Sequence, residues 1–127
     1  MEWIKELGKI YRQDKDDYYI STDSKNIDSA ISILKKNKID NIITISATDT
    51  KKDIEVIYHF THKKGTINIK ICLDRNIPKT KTITGKYPGA LLYEKEAAEM
   101  LGIKIEGIDN APLLLSKHSP LYPLRRE

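Results

Sequence analysis

Residues Asn41 to Asp74 read NIITISATDTKKDIEVIYHFTHKKGTINIKICLD, and this stretch decides the fold. Ile43, Ile45 and Ala47 alternate with Thr44, Ser46 and Thr48, so residues 41 to 48 are expected to form a strand. Ile54, Val56, Tyr58 and Phe60 alternate with Glu55, Ile57, His59 and Thr61, which predicts a second. A third follows from Ile67, Ile69, Ile71 and Leu73 set against Asn68, Lys70 and Cys72. A period of two places successive side chains on opposite faces, so each strand offers one apolar face and one polar face. That is the pattern of an antiparallel sheet packed on one side. Asp49–Lys52 and His62–Gly65 are short enough to close hairpins, so the three strands form a meander.

Working outward, the upstream side alternates helix and strand. Trp3, Ile4, Leu7, Ile10 and Tyr11 recur at helical spacing and predict a short opening helix; Arg12–Asp17 reads as a loop, and Tyr18–Thr22 as a strand. Asp23, Ser24 and Asn26 are candidate N-caps for a helix whose apolar stripe is Ile27, Ala30, Ile31 and Leu34. That helix ends in Lys35, Lys36 and Lys38, where positive charge suits the helix dipole. Downstream, Asp74–Gly89 is punctuated by Pro78, Gly85, Pro88 and Gly89 and reads as a long ordered loop. A helix then runs from Ala90 to Leu101 and stops at Gly102, and Ile103 and Ile105 suit a short edge strand. The predicted fold class is α+β: an antiparallel-rich sheet of three to five strands with helices on one face, in the order α-β-α-β-β-β-α. Residues 1–111 make one domain, and residues 112–127, apolar but broken by Pro112, Pro120 and Pro123, form an extended tail.

Composition narrows the function. The 127 residues hold a single cysteine, Cys72, which excludes an internal disulfide, a multi-thiolate zinc site and a cysteine-ligated iron–sulfur cluster. No apolar run approaches the roughly 20 residues that span a bilayer, so direct membrane insertion is not expected. Basic residues outnumber acidic ones 22 to 18, but lysine supplies most of them, and planar recognition of phosphate favours arginine. His59 and His62, three apart on a strand, point to opposite faces and read as exposed turn residues rather than ligands. Cys72, on the outer face of its strand, lacks an adjacent base and reads as a passive thiol. Lys63-Lys64-Gly65-Thr66 lacks the spacing and following helix of a phosphate loop and reads as a hairpin turn. Glu94, Glu96 and Glu99 suit the dipole at a helix start. With Tyr93 and Ala90-Leu91-Leu92, Glu94 makes a mixed surface suited to a protein interface.

The run YPGALLYEKEAAEMLGIKIEG, Tyr87 to Gly107, resembles the signature of the complex I C-subunit family. This is the thirty-kilodalton hydrophilic component of respiratory NADH–quinone oxidoreductases, with counterparts in membrane-bound nickel–iron hydrogenases. The family's acidic, basic and apolar positions correspond to Glu94, Lys95, Glu96, Glu99, Met100 and Leu101, followed by Gly102, Ile103, Ile105 and Gly107. Leu113, Leu114 and Leu115 fall at the family's closing apolar positions, and Pro123-Leu124-Arg125-Arg126-Glu127 resembles a later family segment. Lys95 stands where arginine is typical and Ile108 where histidine is. The shortness and the ending after Arg126-Glu127 resemble the energy-converting hydrogenase branch.

The resemblance implies a non-catalytic structural subunit on the cytoplasmic face of a membrane-associated oxidoreductase complex, without cofactor or metal of its own. Nickel–iron and iron–sulfur centres would belong to its partners, a large hydrogenase-like subunit and an iron–sulfur subunit. The expected contact residues are Tyr93, Glu94, Lys95, Glu96, Glu99, Glu106, Leu113, Leu114, Leu115, Arg125 and Arg126, with self-association of the isolated chain left open. Two other classes compete. A small basic nucleic-acid-binding module would use Tyr58 and Phe60, although both share the core-facing stripe. A stand-alone enzyme would be built on Glu94, Glu96 and Glu99, without a pocket-forming motif.

Overall fold

The computed structural model describes residues 2–107. The meander is present as β3 (Ile42–Asp49), β4 (Asp53–His62) and β5 (Gly65–Asp74), each antiparallel to the next. Alternation works as expected in β4 and β5: Ile54, Val56, Tyr58, Phe60, Ile67, Ile69, Ile71 and Leu73 are all buried on one face. In β3 it does not hold throughout. The register shifts between Ile42 and Thr44, and this bulge turns Ile43 outward, leaving it 42% exposed.

The upstream chain departs further from expectation. The opening helix is only a 3₁₀ turn, Glu2–Leu7, after which Lys9–Asp14 becomes strand β1. Ile10 and Tyr11 therefore belong to a strand, and the residues expected as a loop, Arg12–Asp17, instead supply the β1–β2 hairpin; β2 spans Asp17–Ser21. Helical periodicity over so few residues is outweighed by the ladder that Lys9–Asp14 forms with β2. β2 in turn pairs in parallel with β5, which completes a five-stranded sheet in the order β1-β2-β5-β4-β3. The connection between β2 and β3 is a 3₁₀ turn, Ser24–Asn26, and then α1, Ile27–Lys36. Ile27, Ala30, Ile31 and Leu34 are its buried stripe, as read from the sequence, but neither Asp23 nor Asn26 closes a side-chain cap.

Within the expected loop Asp74–Gly89, Lys79–Lys81 forms strand β6. It pairs in parallel with β7, Lys104–Glu106, so the Ile103–Ile105 segment extends this separate two-stranded sheet rather than the main one. A 3₁₀ turn at Pro88–Ala90 leads into α2, Leu91–Leu101. Gly102 ends α2 with φ +72°, the left-handed conformation that a glycine adopts without steric cost. The helices pack on the apolar face of the main sheet, where Ile20, Ile27, Leu34, Phe60, Ile69, Ala90 and Leu101 share one core. The expected tail, 112–127, lies outside the described residues.

Candidate partner-docking surface

Helix α2 carries five of the eleven expected contact residues, and packing divides them. Ala90, Glu94, Ala97 and Leu101 recur at helical spacing and face inward, so a glutamate occupies a position on the buried stripe. Both of its oxygens are used inside the chain. Oε1 accepts from the Thr82 hydroxyl, and Oε2 accepts from the Ile83 N–H at 2.9 Å. Burial raises the Glu94 carboxyl above its usual pKa, with the bonds from Thr82 and Ile83 pulling the other way. Glu94, expected at the interface, is 1% exposed and forms a clamp that holds residues 82–83 against α2. Tyr93, Lys95 and Glu99 are half-buried, while Glu96 is exposed. Leu113, Leu114, Leu115, Arg125 and Arg126, like Ile108, lie outside the described residues.

The same division exposes Leu91 and Leu92, which the sequence placed on the mixed surface around Glu94 but which the expected contact residues leave out. Leu91 and Leu92 lie off the buried stripe and are 42% and 55% exposed. The sequence showed them only as apolar residues beside Glu94; adjacent residues can share a helical stripe, as Ala30 and Ile31 do in α1, so packing decided that these two stay outside it. Both α2 and the turn before it pack against β3.

The connection leading to α2 is held firmly. The Tyr87 hydroxyl donates to the Ile39 carbonyl, its ring lies 5.1 Å from that of Phe60, and the Lys35 ammonium sits 4.8 Å from the ring centre. Burial pushes the Tyr87 phenol up to about 12, so it stays a donor. Lys79 pairs with Glu106 at 2.7 Å, and this ammonium holds the half-exposed Glu106 carboxyl below its usual range. Lys81 reaches Asp28 of α1 at 3.5 Å. A surface groove of about 270 Å³ beside this segment is lined by Asp28, Ile31, Thr82, Ile83, Gly85 and Lys86. At the end of β5, Arg75 grips the buried Asp49 with two bonds, of 2.8 and 3.0 Å.

The remaining candidates sort by sheet face. His59 and His62 do point to opposite faces, but neither is an exposed turn residue. His62 is buried beneath Trp3, whose ring meets it edge-on at 5.8 Å, and beside Tyr18 at 6.4 Å. This burial lowers its pKa, with Lys63 adding to the effect and Asp16 opposing it. On the outer face a relay of hydrogen bonds crosses four strands. It runs from Ser46 to His59 (2.9 Å), from His59 to Asn68 (2.6 Å), from Asn68 to Thr66 (2.9 Å) and from Thr66 to Asp17 (2.9 Å). Tyr58 and Phe60, the aromatics a nucleic-acid reading would use, are 1% and 0% exposed. Cys72 is exposed, and its thiol is pushed up by partial burial and by the Asp53 and Glu55 carboxylates, which makes it less reactive. Among the described residues no three His, Cys, Asp or Glu side chains stand close enough to hold a metal ion. Nor is any described helix long and apolar enough to cross a membrane.

Comparison with known proteins agrees with this architecture. The fold is similar to that of a chain in the membrane-bound sulfane sulfur reductase, an archaeal respiratory membrane complex. The TM-score is 0.81 at 23% identity, covering 98% of this chain and 82% of that one. It is also similar to a trypsin-resistant fragment of Nqo5, with a TM-score of 0.72 at 17% identity, covering 88% and 94%. In sequence, the chain is 29% identical over 98 residues to the C subunit of the NADH-quinone oxidoreductase of Moorella thermoacetica, covering 73% of this chain and 66% of that protein. It is 31% identical over 98 residues to the corresponding protein of Roseiflexus sp. (strain RS-1), covering 74% and 56%. The matched region thus spans about two-thirds or less of these relatives' length. Residues 20–127, taking in the end of β2, strands β3 to β5 and both helices, match the family described as the respiratory-chain NADH dehydrogenase, 30 Kd subunit, and the chain belongs to that family.

Proposed function

We propose that this chain is a non-catalytic structural subunit of a complex I-like respiratory oxidoreductase, either an NADH–quinone oxidoreductase or the related energy-converting nickel–iron hydrogenase. It packs against the large catalytic subunit and sits peripherally, on the cytoplasmic side of the membrane. Family membership supports the class of complex, and one observation carries the docking role. Leu91 and Leu92 stay in solvent on a helix whose buried stripe takes in Glu94, so an apolar surface is left open while a carboxylate is enclosed. Apolar residues ringed by polar ones mark protein contact surfaces. Tyr93, Lys95, Glu96 and Glu99 complete this surface, and Leu113, Leu114, Leu115, Arg125 and Arg126 are further contact residues of the same subunit. Glu94 serves it from inside, by fixing the segment from which α2 starts. Metal and iron–sulfur centres belong to the partner subunits.

The test is affinity purification of the tagged chain from its native cells, with mass spectrometry of what accompanies it. A large catalytic subunit and an iron–sulfur subunit at near-equal amounts are expected, and the identity of the large subunit tells the hydrogenase from the quinone branch. A chain recovered alone at native expression levels overturns the reading.

A further inference from the structure

The two edges of the main sheet are guarded differently. Each edge strand has one bulge, after Ile10 in β1 and after Ile42 in β3, but β1, at one edge, also carries Lys9, Arg12 and Asp14, charges that discourage another strand from pairing there. β3, at the other edge, reads Ile-Ile-Thr-Ile-Ser-Ala-Thr from Ile42 to Thr48, with no proline and no charge before its last residue, the buried Asp49. Its free backbone groups follow from the hairpin. Thr50 N–H donates to Asp53 O at 2.9 Å, which makes Thr50 and Asp53 a bonded pair. Bonded and non-bonded pairs alternate back from there, so Thr48, Ser46 and Thr44 bond to β4, and Ile45 and Ala47 turn their N–H and C=O groups outward. Among the described residues, no backbone bond reaches these groups from any other element. Ile45 and Ala47 keep part of their surface in solvent, whereas their β4 partners Tyr58 and Val56 are 1% and 3% exposed.

We propose that β3 is a strand-addition edge, on which an extended, uncharged segment of the neighbouring protein in the complex lies as a sixth strand. This inference rests on the docking role proposed above and specifies how the contact is made. The segment's backbone bonds to Ile45 and Ala47, and an apolar side chain on the outer face of the sheet meets the exposed Ile43 of the same strand. Main-chain bonds supply affinity, and the neutral edge selects a neutral occupant, because a charged side chain beside it would lose hydration without gaining an ion pair.

Hydrogen exchange on the complex purified through the tagged chain tests this, read against the isolated chain. Exchange at the Ile45 and Ala47 amides is expected to slow by about tenfold or more on assembly, while β1 amides keep their rates. Ala47→Pro removes an outward N–H that β4 does not use, and Thr48→Lys adds a guarding charge without touching the backbone. Each is expected to cut recovery of the partner by about tenfold while the isolated chain stays folded by circular dichroism. Partner recovery that both folded variants leave unchanged, with unprotected Ile45 and Ala47 amides, overturns strand addition and leaves the docking role standing. Crosslinks joining β3 to β3 of a second copy in the purified complex overturn it too. A wild-type chain that brings down nothing overturns both.

Discussion

Glu94 combines two properties that rarely coincide: it is ionisable, and it sits on the buried stripe of a helix. Replacing it with alanine leaves the Ile83 N–H without an acceptor and should cost about 2 kcal/mol in urea unfolding. Its pH signature has a definite sign. The native carboxyl holds its proton more tightly than the unfolded one, so its contribution is full below about pH 4.3 and is lost as pH rises through the elevated native pKa. Subtracting the stability curve of Glu94→Gln from that of the wild type should therefore give a difference that falls with rising pH. His62 behaves in the opposite sense. Its depressed native pKa makes stability full above about pH 6.5 and lost as pH falls through the native value. Trp3, the only tryptophan, touches the His62 ring, so its fluorescence reports the same transition; in His62→Phe the acid sensitivity should disappear.

Among the elements, the hairpins and the α2 terminus rest on two glycines. A Cβ on Gly65, at the start of β5, would lie 2.0 Å from the Asp16 carbonyl oxygen in the β1–β2 turn. Gly65→Ala should destabilise the chain by about 2–3 kcal/mol, since backbone on both sides must shift. Gly102→Ala puts a side chain on left-handed backbone and should cost about 1 kcal/mol, measured as a shift in the thermal midpoint. The contrast between β1 and β3 belongs to this scale as well. Two edge strands of one sheet carry opposite treatments of their free backbone, and only the charged one reads as built to stay in solvent.

For the whole molecule, stability and assembly should separate. Leu92→Glu changes a residue that is 55% exposed, so folding stability should move by no more than about 0.5 kcal/mol. Placed on the proposed interface, the same charge should reduce recovery of the large subunit by about tenfold or more in affinity purification. A variant that binds as well as the wild type would move the contact elsewhere on the surface. The sheet carries the core and supports α2, while Glu94, Tyr87 and the β6–β7 pair hold in place the segment from which α2 emerges.

Period-two alternation made β4 and β5 legible, because a strand with one buried face writes that face into every second residue. The stripe of α1 and the glycine stop of α2 were readable for the same local reasons, and the run from Tyr87 to Gly107 was specific enough to indicate the family. Partnership between distant segments had no such local signature. β1 formed where helical spacing suggested a helix, because β2 was there to pair with it; β6 formed in an apparent loop, because β7 ran alongside. The bulge that exposes Ile43, the enclosure of Glu94 and the burial of His62 all depend on what packs opposite. Composition and periodicity thus determined which residues must leave water, while tertiary contacts alone decided which polar groups went with them and which apolar ones stayed behind.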